Sequence, residues 1–268
     1  MKRQVMEDVV KKYMDQIEKC CNHLPGTFDP EDIHDLRVGY KKIRAFIRLL
    51  QMENDAGHLR LHHSLKAIYQ SCGNVRDLQL FLPEVTRTPV ASSLSSFIKC
   101  FNQKLFVYKE ETVSAIEQAH LKKIAHAIKK DLPHQLHDNI VRKFIQQKIA
   151  SIHILLLTAD NETDLHSIRK DIKDIIYNMR IFEHDCDIAF PATGWKSEKE
   201  LNDLASDLGD FNDRRLAVSL LQSDCSDGCD EKEAHALHQL QDHWLQQKDA
   251  QKQQLLQQVQ QLQVENAF

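Results

Sequence analysis

Residues 30–50, PEDIHDLRVGYKKIRAFIRLL, combine a basic face with an apolar face on a single predicted helix. His34, Arg37, Lys41 and Arg48 lie at spacings of i, i+3, i+7 and i+14. At about 100° per residue, the four side chains fall within roughly 60° of one helix face. Apolar residues cluster on the opposite side: Leu36, Ile43, Phe46, Ile47 and Leu50. The stretch therefore predicts a helix that buries one face and presents cations on the other.

The same basic spacing occurs again in the second half of the chain. His166, Arg169, Lys173 and Arg180 repeat it 132 positions later. We call the set at 34, 37, 41 and 48 the N-terminal stripe, and the set at 166, 169, 173 and 180 the C-terminal stripe. Further on, the segment GNVRD at 73–77 is echoed by GDFND at 209–213. The sequence thus predicts two copies of one helical unit, at about 1–132 and 133–268.

Apolar periodicity near 3.6 residues predicts helices along the whole chain. Only seven Gly and six Pro occur in 268 residues, which disfavours a turn-rich β fold. Asp29 before Pro30 predicts an N-cap for the first basic helix, and Asn161 predicts one for the second. We predict an all-α protein with a helix break at each of Gly73 and Gly209. The predicted helices are 3–22, 30–52, 56–72, 74–83, 91–130, 135–159, 162–185, 196–208, 210–223 and 230–264.

The distribution of charge, rather than the net charge of −4, points to a function. Residues 37–48 hold five basic side chains and no acidic one. Like charges at i, i+4, such as Arg37 with Lys41, destabilise a helix by about 0.2–0.5 kcal/mol. Because the stripe is present in spite of that destabilisation, it favours a function in binding an extended anion. The alternative is an ordinary solvated helix face. The C-terminal stripe is interrupted by Asp171 and Asp174, so we expect the N-terminal stripe to dominate.

Other features of the sequence indicate the cellular compartment of the protein. The seven cysteines show no disulfide rhythm, which predicts free thiols in a reducing compartment. Cys225 and Cys229 lack a second pair, so a zinc site is not predicted. The amphipathic N-terminus is not a secretory signal, and no apolar run reaches the roughly 18 residues that a membrane span needs. We expect a cytoplasmic protein without a membrane partner.

At its basic stripes the chain resembles the CHAD domain, the conserved-histidine α-helical domain. The first family signature is matched by residues 34–49, HDLRVGYKKIRAFIRL. The second is matched in part by residues 166–177, HSIRKDIKDIIY, where Asp174 and Ile176 stand at usually basic positions. The segments that begin at Gly73 and Gly209 match further family positions. The resemblance extends over essentially the whole chain.

The resemblance implies a single domain over residues 1–268, built from two pseudo-symmetric antiparallel bundles of about four helices each. The basic helices would face a central basic channel. CHAD domains bind inorganic polyphosphate and are not known as catalysts, so we expect a non-enzymatic polyphosphate-binding protein of the cytoplasm, located at polyphosphate granules. We expect no catalytic residue, metal or cofactor. The expected binding residues are His34, Arg37, Lys41, Lys42, Arg44, Arg48, Arg76, His166, Arg169, Lys170, Lys173 and Arg180.

Three alternatives remain open from the sequence. A basic channel would also attract nucleic acid, although apart from Tyr40 and Tyr177 the stripes lack interleaved aromatic residues for base stacking. A metal-assisted phosphohydrolase is the second alternative. With 15 histidines, short-spaced His pairs are expected by chance; the metal candidates are His134 with His137, His235 with His238, and His184. The Gln-rich C-terminal helix offers a contact to a second chain as the alternative to packing within the bundle.

Overall fold

Nine α-helices occupy most of the residues that the computed structural model describes, which are 1–56, 59–158, 161–192, 196–223 and 230–264, with side chains described up to residue 258. The helices are α1 Arg3–Thr27, α2 Pro30–Leu50, α3 His63–Thr86, α4 Ser95–Gln118, α5 Leu121–Lys130, α6 Asp138–Thr158, α7 Glu162–Arg180, α8 Glu198–Leu221 and α9 Glu231–Val264. A 3₁₀ turn spans Ala91–Ser93, and α7 continues into a π-helical segment, Ile181–Asp185. In these ranges β pairing is limited to one isolated bridge between Lys2 and Gln135. The all-α prediction is confirmed.

The two basic helices begin at the predicted caps. The Asp29 side chain accepts a hydrogen bond from the Glu31 amide at 2.7 Å, and Pro30 occupies the first helical position, where no amide donor is needed. The Asn161 side chain accepts from the Thr163 and Asp164 amides at 2.9 and 3.0 Å. These local signals fix where α2 and α7 start, and hence the register of both stripes.

The predicted helix breaks at Gly73 and Gly209 are wrong, because α3 and α8 run through both glycines. Each glycine instead makes room for an arginine from a stripe. A methyl group added at Gly73 would overlap Nη1 of Arg37, and one added at Gly209 would lie 3.3 Å from Nη2 of Arg169. The segment 91–130 also differs, because it is divided into the 3₁₀ turn, α4 and α5 rather than forming one helix. The helix predicted to start at residue 56 begins at His63, and the one predicted to end at residue 22 continues to Thr27.

Two apolar clusters form the core, and each contains residues from both halves of the chain. The larger one joins α1, α2, α6 and α7 with parts of α3, α5 and α8. The smaller one joins α3 and α4 with α8 and α9 around Phe81, Phe97, Phe101 and Trp244. α2 packs directly against α7, and the buried Asn178 amide donates to the Ala45 carbonyl at 3.2 Å between them. The halves thus share their cores; a pseudo-two-fold relation between them stays a prediction.

The cysteines differ from the expectation of seven free thiols. Cys20, Cys21, Cys72 and Cys186 are free, whereas Cys100 is disulfide-bonded. Cys225 and Cys229 lie outside the described residues. Burial raises the pKa of Cys21 and of Cys72 to about 12, so both are held as thiols inside the larger apolar cluster.

The C-terminal Gln-rich helix packs within the fold along part of its length. Trp244 and Leu255 of α9 are buried, whereas Leu245 is 37% exposed. The predicted apolar positions Val259 and Leu262 lie beyond the described side chains, so the contact to a second chain stays a prediction. In the described part of the chain, every helix is too short or too polar to cross a membrane.

Candidate functional site

A cavity of about 360 Å³ lies between α2 and α7, with α3 and α8 beside it, and we call it the basic cavity. Seven basic side chains and three acidic ones line it, together with a histidine, two tyrosines and an asparagine. The lining residues are Arg37, Lys41, Arg44, Arg48, Tyr69, Asp77, His166, Arg169, Lys170, Lys173, Asp174, Tyr177, Asn212 and Asp213. Eight of the twelve residues predicted to bind polyphosphate are therefore brought together around one space.

On the α2 side, the arginines lie against a pair of aromatic rings. Tyr40 and Tyr69 stack with their ring centroids 4.2 Å apart. The Arg37 guanidinium lies 4.7 Å from the centre of the Tyr69 ring and donates to the Tyr69 carbonyl at 3.2 Å. Arg44 lies 5.5 Å from the Tyr40 ring and 5.7 Å from the Tyr69 ring. Cation–π contacts thus hold both guanidinium groups at the cavity wall, and the bare backbone at Gly73 makes room for that of Arg37.

On the α7 side, Arg169 lies against the backbone of α8 at Gly209. Among the described residues, the buried Nε atoms of Arg44 and of Arg169 have no hydrogen-bond partner. A buried donor without a partner is costly, by roughly 1–3 kcal/mol. Both halves of the cavity wall therefore carry an arginine whose burial is incompletely compensated by hydrogen bonds from the described residues.

The two lysines at the centre of the stripes are surrounded by like charge. Burial lowers the pKa of Lys41 to about 8, and the neighbouring Arg37, Arg169 and Arg44 add to the effect. Burial and Arg169 likewise lower the pKa of Lys173 to about 8. A nearby anion would reverse both causes, because it replaces lost solvation and compensates the positive neighbours.

Arg48 does not face the cavity as a free cation, because Asp174 of α7 holds it. Its Nη1 atom lies 2.9 Å from both Asp174 carboxylate oxygens. Lys148 of α6 bonds the same carboxylate at 2.9 Å and Asp171 at 2.6 Å. Burial opposes the charge on Lys148, but the Asp174 and Asp171 carboxylates raise its pKa overall. The two acids that interrupt the C-terminal stripe therefore form a largely buried ionic network between α2, α6 and α7.

The remaining polar residues of the cavity come from α3, α7 and α8. Burial and then the repulsion of Asp213 raise the pKa of Asp77, although Arg37, Lys41 and Arg76 oppose this. Burial and the neighbouring Arg215 and Arg169 lower the pKa of His166, against a hydrogen bond with Asn212. The GNVRD and GDFND repeats thus deliver their aspartates to the same wall.

An open cleft of about 610 Å³ adjoins the basic cavity and shares Arg169, Lys173 and Asp213 with it. It is lined further by Arg180 and by Lys199 of α8. Arg180 is engaged there by Glu198 at 3.0 Å and by Asn202 at 3.0 Å. The cleft gives the basic cavity a wide opening, and it accounts for one more of the predicted residues.

Three of the predicted residues lie outside both spaces. His34 is exposed near the start of α2. Lys42 lies on another face of the same helix, 5.2 Å from the centre of the Tyr13 ring. Arg76 points to the Pro30 carbonyl at 3.5 Å. Lys42 is about 100° of helix rotation from Lys41, so one face cannot present both.

The histidine metal candidates have other surroundings. The His134 amide donates to Asp55, and His137 contacts Glu53 through both its amide and its ring. His235 and His238 face Gln239 and Asp242 respectively. In the described ranges, one group has three ligand atoms within 4.8 Å of one another: Glu183, His184 and Glu198. It lies at the surface, and its Glu198 already pairs with Arg180.

Two residues that position the cations in and around the basic cavity had no signal in the sequence. Tyr69 belongs to an unremarkable stretch of α3, and Lys148 belongs to an α6 segment with no motif. Both contribute through contacts that join residues far apart in the chain. The aspartates of the GNVRD and GDFND segments could have been selected, because their repeat was visible.

Fold and site together define an all-helical protein with a cationic cavity between two repeat-related helices. The CHAD domain profile matches residues 11–222, more than half of the chain, and the chain belongs to the CHAD domain family. Among solved structures, it is similar to the CHAD domain of the plant Ricinus communis, with a TM-score of 0.72 and 17% sequence identity. That match covers 94% of this chain and 91% of the plant chain, and it concerns the fold. No curated protein shows significant similarity to the chain.

Proposed function

We propose that the protein binds inorganic polyphosphate in the basic cavity without catalysing a reaction on it. The observation that carries the proposal is the surplus of cations there, seven basic against three acidic side chains around one space. Polyphosphate carries its negative charges at short regular intervals along an unbranched chain, so it can contact several of these cations at once. The binding of polyphosphate by other CHAD domains supports the same proposal. Arginine forks suit phosphate oxygens in a bidentate manner, and lysines add compact charge.

The proposed contacts come from both stripes. Arg37, Lys41 and Arg44 would bind from α2, and Arg169, Lys170 and Lys173 from α7. Arg180 and Lys199 would extend the contact into the open cleft, so a chain longer than the cavity has a basic path outward. A location in the cytoplasm, at polyphosphate granules, belongs to the same proposal.

Calorimetric titration with long-chain polyphosphate tests the proposal. We expect saturable binding that weakens as salt is raised, because salt screens charge contacts. The variant Arg37→Ala/Lys41→Ala should weaken binding while circular dichroism shows unchanged helicity. The matched control is Lys122→Ala/Lys123→Ala, which removes the same charge from exposed positions on α5. Equal affinity of the two variants would remove the basic cavity as the binding site.

Nucleic acid is the competing ligand class, and the aromatic residues argue against it. The Tyr69 ring already stacks on Tyr40 and lies beside the Arg37 and Arg44 guanidinium groups, and Tyr177 is 8% exposed. Base stacking needs an accessible ring face. Competition between polyphosphate and single-stranded RNA for the protein distinguishes the two, and displacement of polyphosphate by equimolar RNA would favour the nucleic-acid function. Phosphate release with Mg²⁺ or Mn²⁺ present would favour a phosphohydrolase instead.

A further inference from the structure

Within the described residues, Lys41 and Lys173 have no carboxylate partner, in contrast to Lys148 of α6 close by. Lys148 is bound by Asp171 at 2.6 Å and by Asp174 at 2.9 Å. Within the described residues, neither Lys41 nor Lys173 forms a hydrogen bond or ion pair, although both line the basic cavity. The charges that face Lys41 are mostly positive: Arg37 and Arg44 of its own helix, and Arg169 and Lys173 of α7. The acids on the same walls are Asp77 on α3, Asp174 on α7 and Asp213 on α8.

This environment favours the neutral amine, which is the nucleophilic form of lysine. With a pKa of about 8, half of the Lys41 and Lys173 side chains are neutral at pH 8. An ordinary lysine with a pKa near 10.4 is neutral in only about one molecule in 250 at that pH. The cavity thus places two amines in the same space as the guanidinium groups of Arg37, Arg44 and Arg169, which line it with them.

We propose that Lys41 and Lys173 are acylation sites for acyl phosphates, small anionic acyl donors whose phosphate the arginines of the basic cavity would hold. The amine nitrogen attacks the acyl carbon and forms a C–N bond. The bond from that carbon to the phosphate oxygen breaks, and its electron pair leaves with inorganic phosphate. The proton lost by the amine passes to phosphate or water. The product is an uncharged amide, and the cavity has lost one cation.

The guanidinium groups serve this step in two ways. They bind the phosphate of the donor bidentately, which brings the acyl carbon beside the amine. They also stabilise the charge that develops on the departing phosphate. The reaction needs only a small phosphate group in the cavity and does not require that the protein bind long polyphosphate chains.

Lys42 serves as a control, because it is a lysine of lowered pKa that lies outside the basic cavity. Burial also lowers its pKa, and the nearby Lys12 and Arg180 contribute, but Asp185 opposes them. It is the neighbour of Lys41 in the chain, yet it lies over the Tyr13 ring and outside the cavity. A lysine that reacts only because it is weakly basic would behave like Lys42. A lysine that reacts because an anionic donor is bound beside it would not.

The test compares acetyl phosphate with acetic anhydride, an uncharged donor, on the full chain at pH 8. Peptide mass spectrometry then gives the acetylation rate at each lysine. With acetyl phosphate, we expect Lys41 and Lys173 to react at least ten times faster than Lys122, whose side chain is 87% exposed. Relative to Lys122, the rates of Lys41 and Lys173 should be higher with acetyl phosphate than with the anhydride. The relative rate of Lys42 should be the same with both donors. Inorganic pyrophosphate should slow the reaction at Lys41 and leave that at Lys122 unchanged.

A variant separates the arginine contribution from a general change in structure. Arg169→Gln should raise the pKa of Lys41, because Arg169 helps to lower it, and so slow its reaction with both donors. The loss with acetyl phosphate should be about ten times the loss with the anhydride, because only the anionic donor also loses its binding partner. Equal rates at Lys41, Lys42 and Lys122 with acetyl phosphate would overturn the proposal. This test is independent of the polyphosphate titration. Selective acetylation without polyphosphate affinity would support the acylation sites and contradict the proposed function. Polyphosphate affinity without selective acetylation would support the proposed function and contradict the acylation sites.

Discussion

The basic helices α2 and α7 carry the same spacing of His, Arg, Lys and Arg but use it differently. On α2, Arg37 and Arg44 are held by tyrosine rings and face the cavity. On α7, Asp171 and Asp174 stand among the cations and bind Lys148 and Arg48. α2 thus presents cations at the cavity wall, whereas α7 carries, beside its cations, two acids that connect three helices. The departure from the basic pattern at Asp174 therefore has a structural reason, because it ties α7 to α2 and α6.

The largest expected effect is on stability, from removal of the Asp174 charge. Asp174→Asn leaves Arg48 and Lys148 without the carboxylate that both share, in a place where the Asp174 side chain is 5% exposed. Breaking a buried ion pair from one side costs about 3 kcal/mol or more. We expect urea unfolding to show a loss of that size in the free energy of unfolding.

Asp171→Asn is the matched control for this variant. Asp171 bonds Lys148 and Ser151, and Lys148 keeps Asp174 when Asp171 loses its charge. We expect a loss of about 1 kcal/mol, the usual value for one hydrogen-bonded contact. Equal losses in the two variants would contradict the connecting role that distinguishes Asp174.

The pH dependence of binding tests what the two helices share, a central lysine with a pKa of about 8. A bound polyanion raises both pKa values, so above pH 8 binding must be accompanied by proton uptake, and affinity falls as pH rises. Below pH 7 both lysines are already protonated and contribute no further dependence. From pH 7 to pH 9 we expect polyphosphate affinity to fall by about tenfold for each lysine that must regain its proton.

Titration of the double variant Lys41→Arg/Lys173→Arg provides the control. Arginine stays protonated over this range, so the affinity of the variant should be nearly flat between pH 7 and 9. A wild-type affinity that is equally flat would show that the lysines are charged in the free cavity. Measurement in two buffers with different ionisation enthalpies reports the proton uptake directly.

The relative weight of the stripes is tested by two matched double variants. The sequence favours the N-terminal stripe, because the other copy contains Asp174. In the structure that same aspartate pairs with Arg48, so the N-terminal stripe loses a free cation too. We expect Arg37→Ala/Lys41→Ala and Arg169→Ala/Lys173→Ala to weaken polyphosphate binding by about 30-fold each, at about 1 kcal/mol per lost contact. If the affinities of the two variants for polyphosphate differ by more than tenfold, one stripe dominates the binding.

Features that depend on residues close together in the chain could be predicted from the sequence, whereas features that depend on residues far apart in the chain could not. The starts of α2 and α7 were predictable because Asp29 and Asn161 cap the helix that follows them within three residues. The role of Gly73 was not, because an arginine 36 positions earlier in the chain explains it. Lys148 and Tyr69 were missed for the same reason: their partners come from other helices, and no spacing within α6 or α3 reveals them.

The smallest expected effect concerns the two glycines against which the stripe arginines lie. In Gly73→Ala the new methyl group would displace the end of the Arg37 side chain, and its bond to the Tyr69 carbonyl at 3.2 Å would be lost. In Gly209→Ala the nearest Arg169 atom lies 3.3 Å away and needs to move by only a few tenths of an ångström. Alanine favours a helix interior by up to about 1 kcal/mol over glycine, which offsets the lost contact in the first variant and stabilises the second.

Polyphosphate affinity is therefore the more informative measurement for these variants. We expect Gly73→Ala to bind about threefold more weakly than the wild type, because Arg37 loses its fixed position, and Gly209→Ala to bind with unchanged affinity. Thermal unfolding should show Gly209→Ala as the more stable of the two. If both variants bind as the wild type does, the arginines reach the ligand without support from the glycines, and the close approach at Gly73 serves packing between α2 and α3 alone.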